Sequence, residues 1–353
     1  MSSSNLKFEI KNLKFQRWLI TGGCGFIGAR LVRRLIDEGV GGIRILDNLS
    51  VGSRKDLERS LAPNAGTSEI SVIVGDVRNY EACLGCCRDI DVVVHLAGNT
   101  GVAPSVLNPR EDMEANVLGT FNMLESARTT GVKRFIFASS GAPIGECTPP
   151  IHEEMAPHPV SPYGAGKLAG EGYCSAYFRT FGLETVALRF GNVYGPGSTH
   201  KSSVVAKFIR QAMAEEICEI FGDGSQTRDF IYVDDLVGAV LMASIKNAAG
   251  EIFQIAANEE RTINELAGLL SDILEKEFGT VMEIRHGEAR LGDVKRNYSD
   301  TSKAKNLLGW KPEVFLAEGL RRTIRWFMET SRESHAKSQR KTDKSLTSLT
   351  GLV

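Results

Sequence analysis

Between Trp18 and Leu35 the chain reads WLITGGCGFIGARLVRRL: an apolar run ends at Thr21, glycines fall at 22, 25 and 28, and Ile27, Leu31 and Leu35 then share one helical face. No other stretch restricts the fold as tightly. It demands a tight turn, close approach of backbone N–H groups to an anion, and the positive end of a helix dipole beneath that anion. A strand feeding such a turn and helix is the opening unit of a dinucleotide-binding α/β domain. Gly22, Gly25, Phe26, Ile27 and Gly28 are the first cofactor-site candidates.

The rest of the first half repeats this rhythm. Apolar, β-rich runs recur at 17–21, 43–47, 71–75, 91–97, 134–139 and 184–190, with helix-like segments between them. Runs that are continuously apolar, rather than alternating, indicate parallel strands buried on both faces. The expected architecture is a Rossmann-type, doubly wound parallel sheet over residues 1–190. Within it, 1–16 form an arm in which Leu6, Phe8 and Ile10 alternate with polar residues.

Past Asn192 the pattern loosens into loops, a helix around 204–213, a GDGSQTRDFIYVDD stretch and further helices up to Trp326. This predicts a smaller lobe over 191–330, laid across the carboxyl ends of the strands and partly interdigitated with the first domain. Residues 331–353 are polar, with Arg332, Lys337, Arg340, Lys341 and Lys344 outnumbering Glu333 and Asp343, and are expected to be a disordered, solvated tail.

Two further positions bear on the cofactor. Asp47 ends the second apolar run, followed by Asn48, and a carboxylate there suits the ribose diol of NAD and repels the 2′-phosphate of NADP. Asp76, after the third run, either bonds an adenine amino group or caps a helix. Farther on, Tyr163 and Lys167 lie four residues apart on a predicted helix, so both side chains can approach one ligand. A phenol is a poor base at neutral pH, but an adjacent ammonium and a cationic nicotinamide favour its phenolate, which makes Tyr163 a candidate proton acceptor.

Composition limits the partners. A net charge of −1 carries no global excess that would attract nucleic acid or an anionic membrane, and no apolar run approaches the roughly 20 residues that span a bilayer, so a cytoplasmic protein without integral membrane contact is expected. Seven cysteines form no disulfide framework. Cys83, Cys86 and Cys87 lack a second ligand group at metal spacing, so they are read as packing on a short helix, with no metal site.

These elements together resemble the extended short-chain dehydrogenase/reductase family, in its nucleotide-sugar epimerase and dehydratase branch. The resemblance runs from about Arg17 to Phe327 and rests on GGCGFIG, LDN, GDV (75–77), HLAG (95–98), NVLGTFNMLESAR (116–128), FASS (137–140), YGAGK (163–167), RFGNVYGPG (189–197), RDFIYVDD (228–235) and RLGDVKRNYSDTSKAKNLLGW (290–310). It implies that Ser140 bonds the substrate 4-hydroxyl, Tyr163 is the base and Lys167 holds the nicotinamide ribose. It places Val77, Leu96, Ala97 and Asn116 along the NAD, with His95 in the same segment. Asn192, Arg228, Arg290 and Asp293 correspond to residues that hold the nucleotide diphosphate and ribose, and Asn297 lies beside the sugar C2 substituent.

Dehydratases and decarboxylases of this branch carry acidic residues just after the catalytic serine or threonine, whereas this chain has Gly141 and Ala142. Neither can move a proton. The reading is therefore NAD-dependent C4 epimerisation of a UDP-sugar through a transient 4-keto sugar, with N-acetylated sugars accepted beside Asn297. The alternatives are a 4-ketoreductase using the same three residues and a non-catalytic dinucleotide sensor. A homodimer through the helices near 105–130 and 162–181 is implied, with small residues at Ala165, Ala169 and Ala176.

Overall fold

A computed structural model describes residues 16–61, 68–289 and 294–349. Strands and helices alternate as β1 (Arg17–Thr21), α1 (Phe26–Asp37), β2 (Gly42–Asp47), α2 (Arg54–Leu61), β3 (Glu69–Val74), α3 (Tyr80–Cys87) and β4 (Val92–His95). Then come α4 (Val102–Leu107), α5 (Pro109–Met113), a π-helical turn (Glu114–Leu118), α6 (Gly119–Thr130), β5 (Arg134–Ser140), α7 (Pro162–Phe181) and β6 (Glu184–Phe190). Each predicted apolar run forms a strand.

The second half contributes β7 (Asn192–Tyr194), α8 (Val204–Met213), β8 (Cys218–Phe221), β9 (Thr227–Arg228), β10 (Phe230–Tyr232) and α9 (Val233–Ile245). It continues with β11 (Ile252–Ile255), β12 (Arg261–Thr262), α10 (Ile263–Phe278), β13 (Ile284–Gly287), a second π turn (Ala304–Leu308) and α11 (Leu316–Leu349).

The central sheet has seven parallel strands in the order β11-β6-β5-β4-β1-β2-β3. Its two faces are covered differently. Leu31 and Leu35 of α1 and Val237 and Val240 of α9 pack against Ile20, Ile45, Val94 and Leu188 on one side. On the other, Cys83, Cys86 and Cys87 of α3, Met123 and Leu124 of α6, and Cys174 and Tyr177 of α7 meet Leu19, Val93, Phe135 and Phe137. The cysteine triplet is thus core, its thiols are free, and no metal-holding cluster exists among the described residues. A separate core joins α8, α10 and α11 through Phe208, Ile209, Leu270, Leu274, Leu320 and Ile324.

Two findings bear on the expected organisation. The seventh strand, β11, comes from beyond residue 190 and pairs Ile252–Ile255 with Ala187–Phe190, so the second half completes the first domain's sheet. The segment expected as a disordered tail is helical up to Leu349 as the continuation of α11. Polarity was the misleading cue: from Leu320 to Leu349 there is no glycine or proline to stop a helix already anchored by Leu320 and Ile324. The N-terminal arm with Leu6, Phe8 and Ile10 lies outside the described residues.

Candidate active site and cofactor cradle

The glycine turn closes as its spacing requires. The Gly22 N–H donates to Leu46 O (2.9 Å), and Gly25 N–H donates to Gly22 O (3.1 Å). A Cβ on Gly28 would fall onto the Gly22 carbonyl oxygen and 2.6 Å from Gly23 Cα, so only hydrogen fits where α1 crosses the turn. Helix α1 starts with no side-chain cap and no acidic residue in its first turn, which leaves its leading N–H groups to an anion.

Along the carboxyl ends of β1 to β4 runs a cavity of about 1080 Å³, lined by Gly22, Gly25, Phe26, Ile27, Gly28, Asp47, Asn48, Asp76, Val77, Leu96 and Ala97, and reaching Ser140, Tyr163, Lys167 and Asn192. Asp47 is fixed there: Cys24 N–H donates to Oδ2 (2.9 Å) and Leu49 N–H to Oδ1 (2.8 Å). Each oxygen keeps a second acceptor position for a ribose diol, and the fixed charge opposes a 2′-phosphate. Arg54 turns instead to the Val72 carbonyl (3.4 Å) on the sheet edge. Asp76 is gripped by both Arg78 Nε (2.9 Å) and Nη2 (2.7 Å) and accepts from Asn48 Nδ2 (3.0 Å). The Arg78 bonds hold its carboxyl far below the usual carboxylate range. The uncapped helix start, the glycine contact and the fixed Asp47 carboxylate fit NAD.

The trio of Ser140, Tyr163 and Lys167 meets at the end of β5 and the start of α7. Ser161 caps α7 by accepting from Gly164 N–H (3.1 Å), with Pro162 opening the first turn. That start aims Tyr163 and Lys167 along one face, with Lys167 Nζ 5.8 Å from the centre of the Tyr163 ring and 5.1 Å from that of Phe137. Ser140 accepts from Ala142 N–H (3.2 Å) and hydrogen-bonds Tyr163. Burial pushes the Tyr163 phenol up, while the Ser140 bond pulls it down. Burial lowers Lys167 to about 8, against the pull of Asp112 and Glu171.

Beneath the trio, Glu171 accepts from Arg189 Nε and Nη2 (both 2.8 Å) and from Ser139 Oγ (2.5 Å), a buried network that ties α7 to β5 and β6. Two residues of the segments beside the cofactor cavity are held by core partners. His95 is buried between Thr21 Oγ1 (2.7 Å) and Thr120 Oγ1 (3.1 Å), and burial lowers it to about 3, so it is a neutral core residue. Asn116 is 1% exposed and lines neither cavity; its amide donates to Asn99 O (3.1 Å) and Asp112 Oδ1 (3.0 Å). The π turn sets it behind Lys167, and its neighbour Ala115 faces the cavity instead.

A second cavity of about 200 Å³ adjoins the first, and Asn192, Val193, Ser202 and Ser203 line both. Arg228 lines the second and is oriented by donating from Nη1 to Thr227 O and Val294 O (both 2.7 Å). Its neighbour Asp229 accepts from Ala257, Asn258 and Ser299 N–H groups, and Asp234 pairs with Arg30. Asn297 is half-buried, donates its backbone N–H to Thr227 Oγ1 (3.2 Å) and lines neither cavity. Arg290 and Asp293 lie outside the described residues. Sequence reasoning missed the loop before α8: His200 reaches Asp56 (3.5 Å) and Lys201 Nζ stands 5.7 Å over the Phe26 ring, so this loop crosses the cleft. The HKSS run, a basic pair before two hydroxyl residues, was the available signal.

The model of the NAD dependent epimerase/dehydratase family matches residues 18–256. This chain belongs to that family. Among curated relatives of this family member, a putative UDP-glucose 4-epimerase of Methanocaldococcus jannaschii is 39% identical over 319 residues, covering 89% of this chain and 99% of the relative. Among solved structures, UDP-glucose 4-epimerase with UDP-glucose from Thermotoga maritima superposes with TM-score 0.81 at 37% identity, over 89% of this chain and 99% of that one. A UDP-N-acetylglucosamine 4-epimerase from Methanobrevibacter ruminantium, in complex with UDP-N-acetylmuramic acid, gives TM-score 0.82 at 31% identity, over 90% and 99%. The epimerase/dehydratase frame thus takes in the trio and the larger cavity it lines.

Proposed function

We propose that this protein interconverts C4 epimers of a UDP-sugar, with UDP-glucose, UDP-N-acetylglucosamine and UDP-glucuronate as the candidate substrates. The observation that carries the reading is the convergence of Ser140, Tyr163 and Lys167 on a cavity that continues, past Asn192, into one lined by Arg228. The nucleotide diphosphate binds beside Arg228, whose planar donors suit phosphate oxygens. NAD, held by the glycine turn and Asp47, would supply reversible hydride acceptance for the sugar C4 and a cationic ring to favour the phenolate.

The chain's own residues do the proton work. Tyr163 removes the 4-hydroxyl proton, Ser140 steadies the developing charge, and Lys167 keeps the phenolate accessible near neutral pH. No acid or base stands at Gly141 or Ala142 to drive elimination, and a Cβ at Gly141 would have no neighbour within 4 Å, leaving space for the sugar to turn.

A homodimer fits the same reading. Val106, Leu107, Met113, Leu118 and Phe121 along α4 to α6, with Tyr173 and Phe181 of α7, form exposed apolar ridges of the kind a helix-pairing interface covers. Sedimentation showing only monomer at micromolar concentration would overturn this part.

The decisive assay incubates the protein and catalytic NAD with each UDP-sugar and follows the sugar by NMR. The expected result is a C4 epimer with no net NADH, and a Tyr163→Phe variant that keeps NAD but loses turnover by about 10²- to 10⁴-fold. Stoichiometric cofactor consumption with a 4-keto sugar, and no epimer from any of the three, would replace this reading with the ketoreductase.

A further inference from the structure

The trio leaves one acidic group unaccounted for. Asp112, on α5 just before the π turn, is 1% exposed and lines neither cavity. Its Oδ1 accepts from Asn116 Nδ2 (3.0 Å), while Oδ2 is buried with no hydrogen-bond donor among the described residues. The packing around it is close. A Cβ on Gly166, the residue before Lys167, would stand 3.7 Å from Asp112 Oδ2 and 3.1 Å from Asn116 Cβ. A Cβ on Gly98 would stand 2.5 Å from Asn116 Oδ1 and 3.6 Å from Lys167 Nζ. Glycines at 98 and 166 thus let α5 and the π turn pack close to α7, with Asp112 beside Gly166 and Asn116 Oδ1 beside Gly98, next to Lys167 Nζ.

A buried carboxylate without a cation is costly, and so is a buried ammonium without an anion. The charged groups around Lys167 are few. Glu171, one turn farther along α7, is committed to Arg189 of β6 and to Ser139 of β5. His95 of β4 is neutral, and α4 contributes no ionisable side chain. On α5 and the π turn, Arg110 pairs with Glu114, and Glu111, exposed along the larger cavity, accepts from Asn108. Asp112 makes no direct ion pair with Lys167, but among the described residues on this side it is the buried carboxylate without a cationic partner, and its negative charge raises both Lys167 and Tyr163.

We infer that Asp112 is a positioning residue for the proton step: its carboxylate keeps Lys167 an ammonium beside Tyr163 and orients the Asn116 amide against it. The inference rests on Tyr163 as the proton acceptor. It carries a definite sign. A negative charge raises both the lysine and the phenol, so removing it should lower both. Activity needs the phenolate and the ammonium together; hence both limbs of the pH–rate profile should move toward acid.

The test uses NAD-loaded wild type, Asp112→Asn and Asp112→Glu, with Tyr163→Phe as the blank for an ultraviolet difference titration of the tyrosinate. Asp112→Asn should lower the tyrosinate midpoint and both rate limbs by about one pH unit, the effect of one nearby buried charge. Asp112→Glu, which keeps the charge, should hold the wild-type midpoints even where kcat falls. Midpoints unchanged in Asp112→Asn, or moved equally by Asp112→Glu, would overturn the inference and leave Asp112 a structural residue. The titration needs no sugar, so it remains readable if none of the UDP-sugars turns over and the proposed function fails.

Discussion

The two halves of the cleft are built by different means. The half proposed to hold the cofactor is mostly backbone: a glycine turn, an uncapped helix start and one carboxylate fixed by two peptide N–H groups, all within or beside β1, α1 and β2. The half proposed to hold the nucleotide is mostly side chains drawn from separated segments, with Arg228 of β9 held by Val294 O and Asp229 holding the 257–258 and 299 backbones. A backbone site depends on local turn chemistry and tolerates little change in it. A side-chain site depends on several long-range attachments, and losing one weakens the site without erasing it.

The sharpest way to break this contrast is Gly28→Val. Because even a Cβ there meets Gly22 O and Gly23 Cα, the variant should lose bound NAD and all turnover together, read by cofactor content after purification. If it retained stoichiometric NAD, the backbone account of the cofactor half would fail. Arg228→Ala should act on the other half alone, raising the UDP-sugar KM about ten- to a hundredfold, the worth of a charged hydrogen bond, with NAD content unchanged. An equal loss of NAD would mean that the halves are not separable.

The smallest expected effect concerns Asp229. Burial raises its carboxyl to about 7 despite three backbone donors. The unfolded group titrates near the ordinary value of about 3.9. Between these values the folded state holds more protons, so this residue's contribution to stability falls as pH rises through that window. Asp229→Asn should remove that slope, narrowing the difference in melting temperature between weakly acidic and neutral buffer by a few degrees. A slope identical to wild type would assign the titration elsewhere.

The same contrast explains what could be read before any coordinates. The six strands, the glycine turn, Asp47 and the helix carrying Tyr163 and Lys167 each have a local signature, and each appears where its signature lies. The setting of Asn116 was not legible from its motif, because a π turn changes which residue faces the cavity, and a one-residue bulge leaves no periodic mark in sequence. Lys201 and His200 were missed because a loop crossing the cleft is defined only by where it lands. The helical continuation to Leu349 was hidden by polarity, which reports solvation and not backbone conformation.

The seventh strand carries a consequence for how the molecule is made. The strands that bear the glycine turn and Ser140 leave the ribosome early, yet β6 gains its outer partner only when residues 252–255 have been synthesised. A nascent chain ending near Phe190 would present β6 as a bare edge, open to pairing with a neighbouring chain. Closing that edge brings together segments over sixty residues apart, a late, non-local step, at Ala187–Phe190 against Ile252–Ile255. The β6 edge of the sheet therefore closes after the strands that bear the glycine turn and Ser140 are made, and only in chains that have emerged as far as Ile255.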